Sequence, residues 1–274
     1  MSAPTAESAK ALEIDQKDME EHMQGMPKVY ASMRDRPLTV KAYAFDDPKA
    51  PVDAVVVHFV RHGQGFHNLI ASLFSCQGKE WEPYSQTRDN PYIMQEILDA
   101  PLTQKGRQQA CLLQPKIKEL KTKPQLVVLS PLCRALQTGV IAFEELLVAA
   151  DVPFLAHEMV REQSSVHCCD KRRPISRQAK EFPQVDFSRI ESDEDVIFKY
   201  DKPESIAEVG ERAYKFLQWL SERPEKHVGV SSHSAWLFTV FNGVLECDDS
   251  LKDWFHTGEM RSVKLEFIQK FEKP

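Results

Sequence analysis

An almost unbroken apolar run, VDAVVVHFV at residues 52–60, constrains the fold of this chain more than any other feature. Short runs that are rich in β-branched residues and lack polar alternation are typical of a central parallel strand covered on both faces. His58 interrupts the run, and because its side chain must point to one face of the sheet, we interpret it as a packed, hydrogen-bonded core residue. The run therefore predicts a buried strand that begins after Pro51.

Predicted strands and helices alternate along the rest of the chain. The sequence indicates further strands at PQLVVLS, 152–156 and 227–231, helices at 131–150, 204–222 and 235–245, and a final edge strand at 262–268. Thr103 is the expected N-cap of a helix over the segment TQKGRQQACLLQPKIKELK. This alternation predicts an α/β fold with a mainly parallel central sheet and helices on both faces. Ligands of such folds bind at the carboxyl ends of the strands.

The composition is typical of soluble globular proteins rather than disordered or membrane proteins. Hydrophobic residues make up 42% and charged residues 28% of its 274 residues, and the formal net charge is -6. An acidic balance does not favour nucleic acid as a partner, and no apolar stretch reaches the ~18 residues of a membrane helix. The first residues lack the pattern of a signal peptide, so we expect a cytoplasmic protein without nucleic-acid or membrane partners.

The six cysteines give no sign of a disulfide framework or a zinc site. They show no C-x-x-C spacing, which favours reduced thiols. The segment His167-Cys168-Cys169-Asp170 contains metal-ligand residue types, but adjacent cysteines cannot easily direct both sulfurs at one tetrahedral zinc ion. We therefore expect neither a metal nor a cofactor.

Residue types that suit phosphate follow the first predicted strand directly, in the segment Arg61-His62-Gly63-Gln64. Arg61 offers a planar fork of donors for phosphate oxygens. The His62 imidazole is a nucleophile when neutral, which its reference pKa of about 6.5 allows near neutral pH. Gly63 permits a close approach of the backbone to a ligand, and the amides that open the next helix suit an anion. This turn is therefore a candidate site for phosphate chemistry.

Two further strand ends carry groups of the same kind. Arg134 lies just after the second predicted strand, and His233 follows the strand predicted at 227–231. On its own Arg134 would be an ordinary solvated helix residue, and His233 would fit a core as well as a site. Because the carboxyl ends of parallel strands meet at one edge of a sheet, Arg61 and Arg134 are expected to converge on one phosphate.

Five segments, in this order, resemble the histidine phosphatase superfamily, also called the phosphoglycerate-mutase-like family. They are RHGQGFHN (61–68), LTQKGRQQA (102–110), SPLCRALQT (130–138), VRE (160–162) and SSHSAWL (231–237), within a match over about 55–245. The resemblance implies a phosphoglycerate-mutase-like fold, with His62 as the phosphorylated nucleophile. It further implies a phosphate pocket of Arg61, Arg134 and His233, and Glu162 as the proton donor to the leaving oxygen.

Two carboxyl groups are candidates for the proton donor. The resemblance favours Glu162, but the residues around it diverge from the family pattern and Glu158 lies only four residues earlier. A carboxylic acid that donates a proton near neutral pH needs a raised pKa, which burial or the negative charge of the phosphate provides. We predict Glu162 as the donor and keep Glu158 as the alternative.

Residues 1–50 are interpreted as an N-terminal arm that leads into a domain spanning 51–274. Two segments of this domain, 69–101 and 163–200, are expected to form caps over the site. The first contains the aromatic-rich stretch EWEPYSQTRDNPYIM, and the second contains the most basic stretch of the chain, which is either a solvated surface or a contact to an anionic part of the substrate. The residues predicted to bind substrate are Gly63, Gln64, Asn68, Ser234, Arg172 and Arg173.

Differences from classical phosphoglycerate mutases bear on the reaction. QGFHN and REQSS stand where those enzymes have ESxxN and ERHYG, which favours the phosphatase branch. We predict a metal-independent phosphomonoesterase that acts on a phosphorylated small molecule through a phosphohistidine at His62. The alternatives are a mutase or phosphotransferase, and a degenerate member that only binds phosphorylated ligands. The sequence specifies neither the substrate nor the oligomeric state.

Overall fold

The computed structural model of the chain describes residues 6–79, 90–149 and 152–270. Its strands are β1 (Leu38–Ala44), β2 (Val55–Arg61), β3 (Leu126–Leu129), β4 (Phe154–Ala156), β5 (His227–Ser232), β6 (Glu246–Cys247) and β7 (Met260–Gln269). They form one sheet of seven described strands in the order β4-β3-β5-β2-β7-β1-β6. Among them, only β7 is antiparallel to its neighbours. The prediction of a mainly parallel α/β sheet is therefore confirmed.

Helices cover both faces of this sheet. They are α1 (Ala6–Met33), α2 (Phe66–Cys76), α3 (Gln104–Cys111), α4 (Gln114–Lys118), α5 (Cys133–Ala142), α6 (Glu144–Ala149), α7 (Ile175–Glu181), α8 (Ile206–Ser221) and α9 (Ser234–Thr239). Alternate residues of each strand point to opposite faces, so Val57 and Phe59 pack with α1, α8 and α9, whereas Val60 packs with α4, α5 and α6. Every residue of β2 is buried, as its apolar sequence requires.

Residues 6–44 are not an arm outside the domain. Helix α1 buries Met26 and Val29 in the core that also contains β2, and β1 lies inside the sheet between β7 and β6. The pairing of β1 with β7 joins the two ends of the chain, as in the pair Leu38 and Gln269. The prediction of a domain that begins only at Pro51 is corrected accordingly. Strand β7 is likewise not an edge strand, because β2 and β1 flank it.

The helix boundaries follow local signals. The Thr103 hydroxyl accepts a hydrogen bond from the Gly106 backbone N–H at 3.1 Å, which confirms Thr103 as the N-cap of α3. The long helix expected there is divided into α3 and α4, and the one expected at 131–150 is divided at Phe143. No helix in the described ranges has an apolar stretch long enough to cross a membrane.

His58 occupies the core position expected of it. Its side chain is buried, and its Nδ1 lies 2.7 Å from the Ser262 hydroxyl oxygen on β7. Burial, with a smaller contribution from His227, lowers the pKa of His58 from 6.5 to about 4. The folded chain therefore holds this imidazole neutral at pH values where an exposed one is charged.

We expect acid to destabilise the wild type more than a His58→Phe variant. Between 6.5 and about 4 the unfolded chain binds more protons at His58 than the folded chain, so the free energy of unfolding falls as the pH falls through this interval. Urea unfolding measures the free energy of unfolding of both proteins at about pH 7 and about pH 4.5. Between these pH values, the wild type should lose roughly 2–3 kcal/mol more than the variant. The other histidines contribute equally to the pH dependence of both proteins. An equal loss of stability in the two proteins would therefore contradict a neutral, buried His58.

Candidate active site

Three neighbouring strands bring the predicted site residues to one edge of the sheet. In the register of β2 with β5, Arg61 pairs with Ser232, and in that of β3 with β5, Leu129 pairs with Ser231. The residues that follow these strands therefore emerge side by side. His62, Ser130 and His233 are all buried there.

His62 is held in the form that a nucleophile requires. Its Nδ1 lies 2.7 Å from the Gly63 carbonyl oxygen, which only accepts hydrogen bonds, so Nδ1 carries the proton and Nε2 carries the lone pair. Arg134 Nε donates to this Nε2 at 3.1 Å. Burial first, and then the charges of Arg134 and Arg61, lower the pKa of His62 well below its ordinary value. The imidazole is therefore neutral and nucleophilic at Nε2.

Carboxylates hold the two arginines beside this imidazole. The Arg134 guanidinium donates to Asp170 Oδ1 at 2.9 Å and to the Cys169 carbonyl at 2.6 Å. Arg61 Nη1 donates to Asp15 Oδ1 at 3.0 Å, while Arg61 Nε is buried and has no hydrogen-bond partner among the described residues. Both arginines line the same cavity as His62, so donors of both can reach one anion there.

Two further histidines surround His62. The ring centroids of His233 and His67 lie 5.0 Å and 5.5 Å from that of His62. His233 Nε2 lies 2.7 Å from the Ser130 hydroxyl, and its ring packs against His62 rather than on the cavity wall. His67, which sequence reasoning did not assign to the site, does line the cavity, and its buried Nδ1 has no hydrogen-bond partner in the described part of the chain.

Glu162 lies on the wall of this cavity, and Glu158 does not. Burial, and then the negative charge of Asp170, raise the pKa of Glu162, as a proton donor near neutral pH requires. Its Oε1 accepts hydrogen bonds from the backbone N–H groups of Gln163 and Trp236. Glu158 instead accepts from Arg161 at 3.1 Å and from Arg172 at 2.7 Å. Of the two candidates for the proton donor, Glu162 alone lines the cavity that contains His62.

The cavity has a volume of about 80 Å³, which is well below the ~300 Å³ of typical pockets for drug-sized ligands. This volume favours a compact ligand. Asn68 and Ser234, both predicted to bind substrate, line it together with His62 and the two arginines. Both segments predicted as caps contribute to its wall, with Tyr92 from 69–101 and the stretch around Asp170 from 163–200. Residues 80–89, which include most of the aromatic-rich stretch of the first cap, lie outside the described residues.

Residues 57–271 match the profile of the histidine phosphatase superfamily (branch 1). The chain belongs to the histidine phosphatase superfamily. Two relatives from Arabidopsis thaliana are each 34% identical to it. They are a phosphoglycerate mutase-like protein, aligned over 223 residues that cover 72% of this chain and 77% of the relative, and phosphoglycerate mutase-like protein 1, aligned over 238 residues that cover 76% and 79%. The alpha-ribazole phosphatase of Shigella flexneri is a structural neighbour with a TM-score of 0.47 and 16% identity, covering 78% of this chain and 96% of that one.

In this member of the superfamily, Gly63 and Gln64 serve packing rather than the ligand. The Gly63 N–H donates to the Thr138 hydroxyl at 3.0 Å, and a Cβ at Gly63 would collide with the Gly106 carbonyl oxygen. The Gln64 side chain donates to Glu7 and accepts from the Thr103 hydroxyl. Neither residue lines the cavity beside His62, so the structure does not support their prediction as substrate-binding residues.

Arg172 and Arg173 are also occupied by the protein itself. Arg172 is buried and donates to Glu158 and to the carbonyl oxygens of residues 192, 193 and 194. Arg173 donates to Asp99 at 3.1 Å and to Glu181 at 2.8 Å. Neither arginine lines the cavity, so the structure does not support the prediction that one of them reaches the substrate.

Helix α1 supplies part of the cavity wall. The sequence patterns did not indicate this contribution. Asp18 and His22 line the cavity, and Asp15 holds Arg61 from the same helix. Their i, i+3 and i, i+4 spacing places them on one helix face and is the signal that could have shown them together. That face reads as an ordinary polar surface, and only the packing of α1 on the core reveals its role.

His167, Cys169 and Asp170 form the group of described residues that could hold a metal ion, since one ligand atom of each lies within 4.8 Å of the others. However, Asp170 already accepts hydrogen bonds from Arg134 at 2.9 Å and from Ser165 at 2.9 Å. A guanidinium at that distance repels a second cation. The arrangement therefore fits an anion-binding role for Arg134 better than a metal centre.

Proposed function

We propose that the chain is a phosphomonoesterase that hydrolyses a compact phosphorylated molecule through a phosphohistidine at His62. The observation that carries this proposal is the state of His62, whose Nδ1 proton is fixed by the Gly63 carbonyl and whose Nε2 lies beside Arg134. A neutral imidazole next to an anion-binding guanidinium is the arrangement that attack on a phosphoryl group requires.

The proposed reaction has two steps. His62 Nε2 attacks phosphorus, the ester P–O bond breaks, and Glu162 gives its proton to the leaving alkoxide oxygen. Glu162, now a carboxylate, then accepts a proton from a water molecule that attacks the phosphohistidine, and inorganic phosphate and neutral His62 are released. Arg61 and Arg134 stabilise the charge on the phosphoryl oxygens in both transition states.

A screen for phosphate release tests the proposal and separates it from its alternatives. Purified protein is incubated with sugar phosphates, nucleotides, inositol phosphates and phosphopeptides, in water labelled with oxygen-18. We expect steady release of inorganic phosphate that carries the label, because water resolves the phosphohistidine. Transfer of the phosphoryl group to an added alcohol, without oxygen-18 in the product, would indicate a phosphotransferase or mutase. If neither inorganic phosphate nor a new phosphoester forms, the protein only binds phosphorylated ligands.

We further expect activity to persist in excess EDTA and to be inhibited by orthovanadate. The proposed mechanism draws its charge stabilisation from Arg61 and Arg134, and vanadate imitates the five-coordinate phosphorus of transfer. A Cys169→Ser variant provides the matched control, since it alters the group that could hold a metal while keeping a small side chain. Loss of activity in EDTA that returns with zinc or magnesium would contradict the metal-free mechanism. If the Cys169→Ser variant no longer recovers activity with added metal, the metal lies at His167, Cys169 and Asp170.

A further inference from the structure

The cavity beside His62 is lined by carboxyl groups as well as by the two arginines. His62, Arg61 and His67 line it together, and Arg61 Nε and His67 Nδ1 are buried polar atoms that make no hydrogen bond within the described residues. Three carboxyl groups also line the same cavity, those of Asp18, Glu162 and Asp170. The distribution of charge therefore constrains the part of the ligand that lies beyond its phosphate.

Both arginines of the cavity already face a carboxylate. Asp15 accepts from Arg61, and Asp170 accepts from Arg134. A phosphate must share these two guanidiniums with carboxylates. No further lysine or arginine lines the cavity in the described ranges. A second anionic group on the ligand would therefore enter without a further guanidinium or ammonium group to face it.

Above pH 7, Asp18 adds negative charge on the side of the cavity formed by α1. Burial, and then the charges of Asp15, Glu21 and Glu162, raise the pKa of Asp18 to about 7, although Arg61 opposes this shift. The other lining residue of this helix, His22, directs Nδ1 at the Asp18 carbonyl and Nε2 at the Gln163 side-chain oxygen. Both ring nitrogens of His22 are thus used within the protein, and neither is directed at a ligand.

We propose that the site selects phosphomonoesters whose alcohol part is neutral or cationic, and that Asp18 is a residue that excludes alcohol parts carrying a carboxylate. This inference rests on the proposed phosphomonoesterase activity and names its substrate class. Phosphoglycerates carry such a carboxylate. The proposal therefore separates this chain from phosphoglycerate chemistry by charge, independently of whether the phosphohistidine is resolved by water or by another acceptor.

Two pairs of matched esters test the selection. Glycerol 2-phosphate and 2-phosphoglycerate differ only by a hydroxymethyl group in place of a carboxylate, and 3,3-dimethylbutyl phosphate and phosphocholine differ only by carbon in place of a cationic nitrogen. At about pH 8, we expect kcat/KM for glycerol 2-phosphate to exceed that for 2-phosphoglycerate by roughly 10- to 100-fold. Phosphocholine should be hydrolysed at least as well as its neutral partner. Equal or inverted preference within the first pair would overturn the proposal.

In the Asp18→Asn variant, the ratio of kcat/KM for glycerol 2-phosphate to that for 2-phosphoglycerate should fall by roughly tenfold. The fall should come from a higher kcat/KM for 2-phosphoglycerate. Glu20→Gln is the matched control, because it removes one exposed negative charge from the same helix at a position outside the cavity, and it should leave the ratio unchanged. An unchanged ratio in Asp18→Asn, or an equal change in both variants, would show that Asp18 does not exclude the carboxylate.

Calorimetric binding of the same esters to a His62→Ala variant gives the order of affinity without turnover. If the protein hydrolyses none of the esters but binds the neutral ester more tightly than the anionic one, the phosphomonoesterase proposal fails and the selection stands. If it hydrolyses both esters of the first pair equally well, the selection fails and the phosphomonoesterase proposal stands.

Discussion

Replacement of His62 by alanine is expected to lower kcat by roughly 10⁴-fold or more while leaving the fold intact, because it removes the group that forms the covalent bond to phosphorus. The side chain is buried, but within the described part of the chain it forms hydrogen bonds only with the adjacent Gly63 carbonyl and with Arg134. Arg134 keeps its bonds to Asp170 and to the Cys169 carbonyl. We therefore expect circular dichroism and the urea midpoint to change little.

A covalent intermediate gives this prediction a second readout. Rapid acid quenching of the wild type with radiolabelled substrate, followed by neutralisation, should trap a phosphohistidine that is stable in base and labile in acid, and His62→Ala should trap none. His67→Asn is the matched control, because it alters another buried histidine of the same cavity without removing the nucleophile. It should lower the rate less and still trap the label. Trapped label in His62→Ala, or none in His67→Asn with normal turnover, would contradict the assignment.

The central sheet could be predicted because its signals are local. The apolar run of β2 and the alternation of strands with helices follow from short-range sequence patterns, and the convergence of Arg61, Arg134 and His233 follows from the rule that parallel strands end at one edge. Strand β1 alternates in sequence and in burial, but nothing in that local pattern indicates its partner strand. It is held by β7, more than two hundred residues later in the chain, as in the pair Leu38 and Gln269. Long-range pairing of this kind has no local signature.

The errors at the site share a physical cause, which is competition for hydrogen-bonding groups. An arginine in a basic stretch suggests a ligand, yet Arg172 and Arg173 are satisfied by oxygens from distant segments, including Asp99 and Glu158. Gln64 is likewise held by Glu7 of α1. A sequence shows which donors exist, but which acceptors surround them is decided by tertiary packing. The same limit concealed Asp18, whose role depends on where α1 lies.

Replacement of Glu162 by glutamine is expected to slow phosphoryl transfer from an ester more, the more basic its leaving group is. An alkyl phosphate leaves as a strongly basic alkoxide that needs a proton, whereas p-nitrophenolate leaves largely unaided. Burial and the charge of Asp170 raise the pKa of Glu162, which favours the protonated form that a donor needs. Loss of the proton donor should therefore cost roughly 10²- to 10⁴-fold on glycerol 2-phosphate and much less on p-nitrophenyl phosphate.

Glu158→Gln is the matched control, since it makes the same change in the only other carboxyl group considered for the role. Glu158 lies outside the cavity and accepts hydrogen bonds from Arg161 and Arg172, so its replacement should lower stability without a selective effect on either ester.

The comparison requires single-turnover measurement of the phosphorylation step, because slow hydrolysis of phosphohistidine would limit steady-state turnover and conceal the difference. Equal losses on both esters would make Glu162 a positioning residue, because a group that only orients the phosphate affects good and poor leaving groups alike. A selective loss on the alkyl ester in Glu158→Gln would instead transfer the role of proton donor to Glu158.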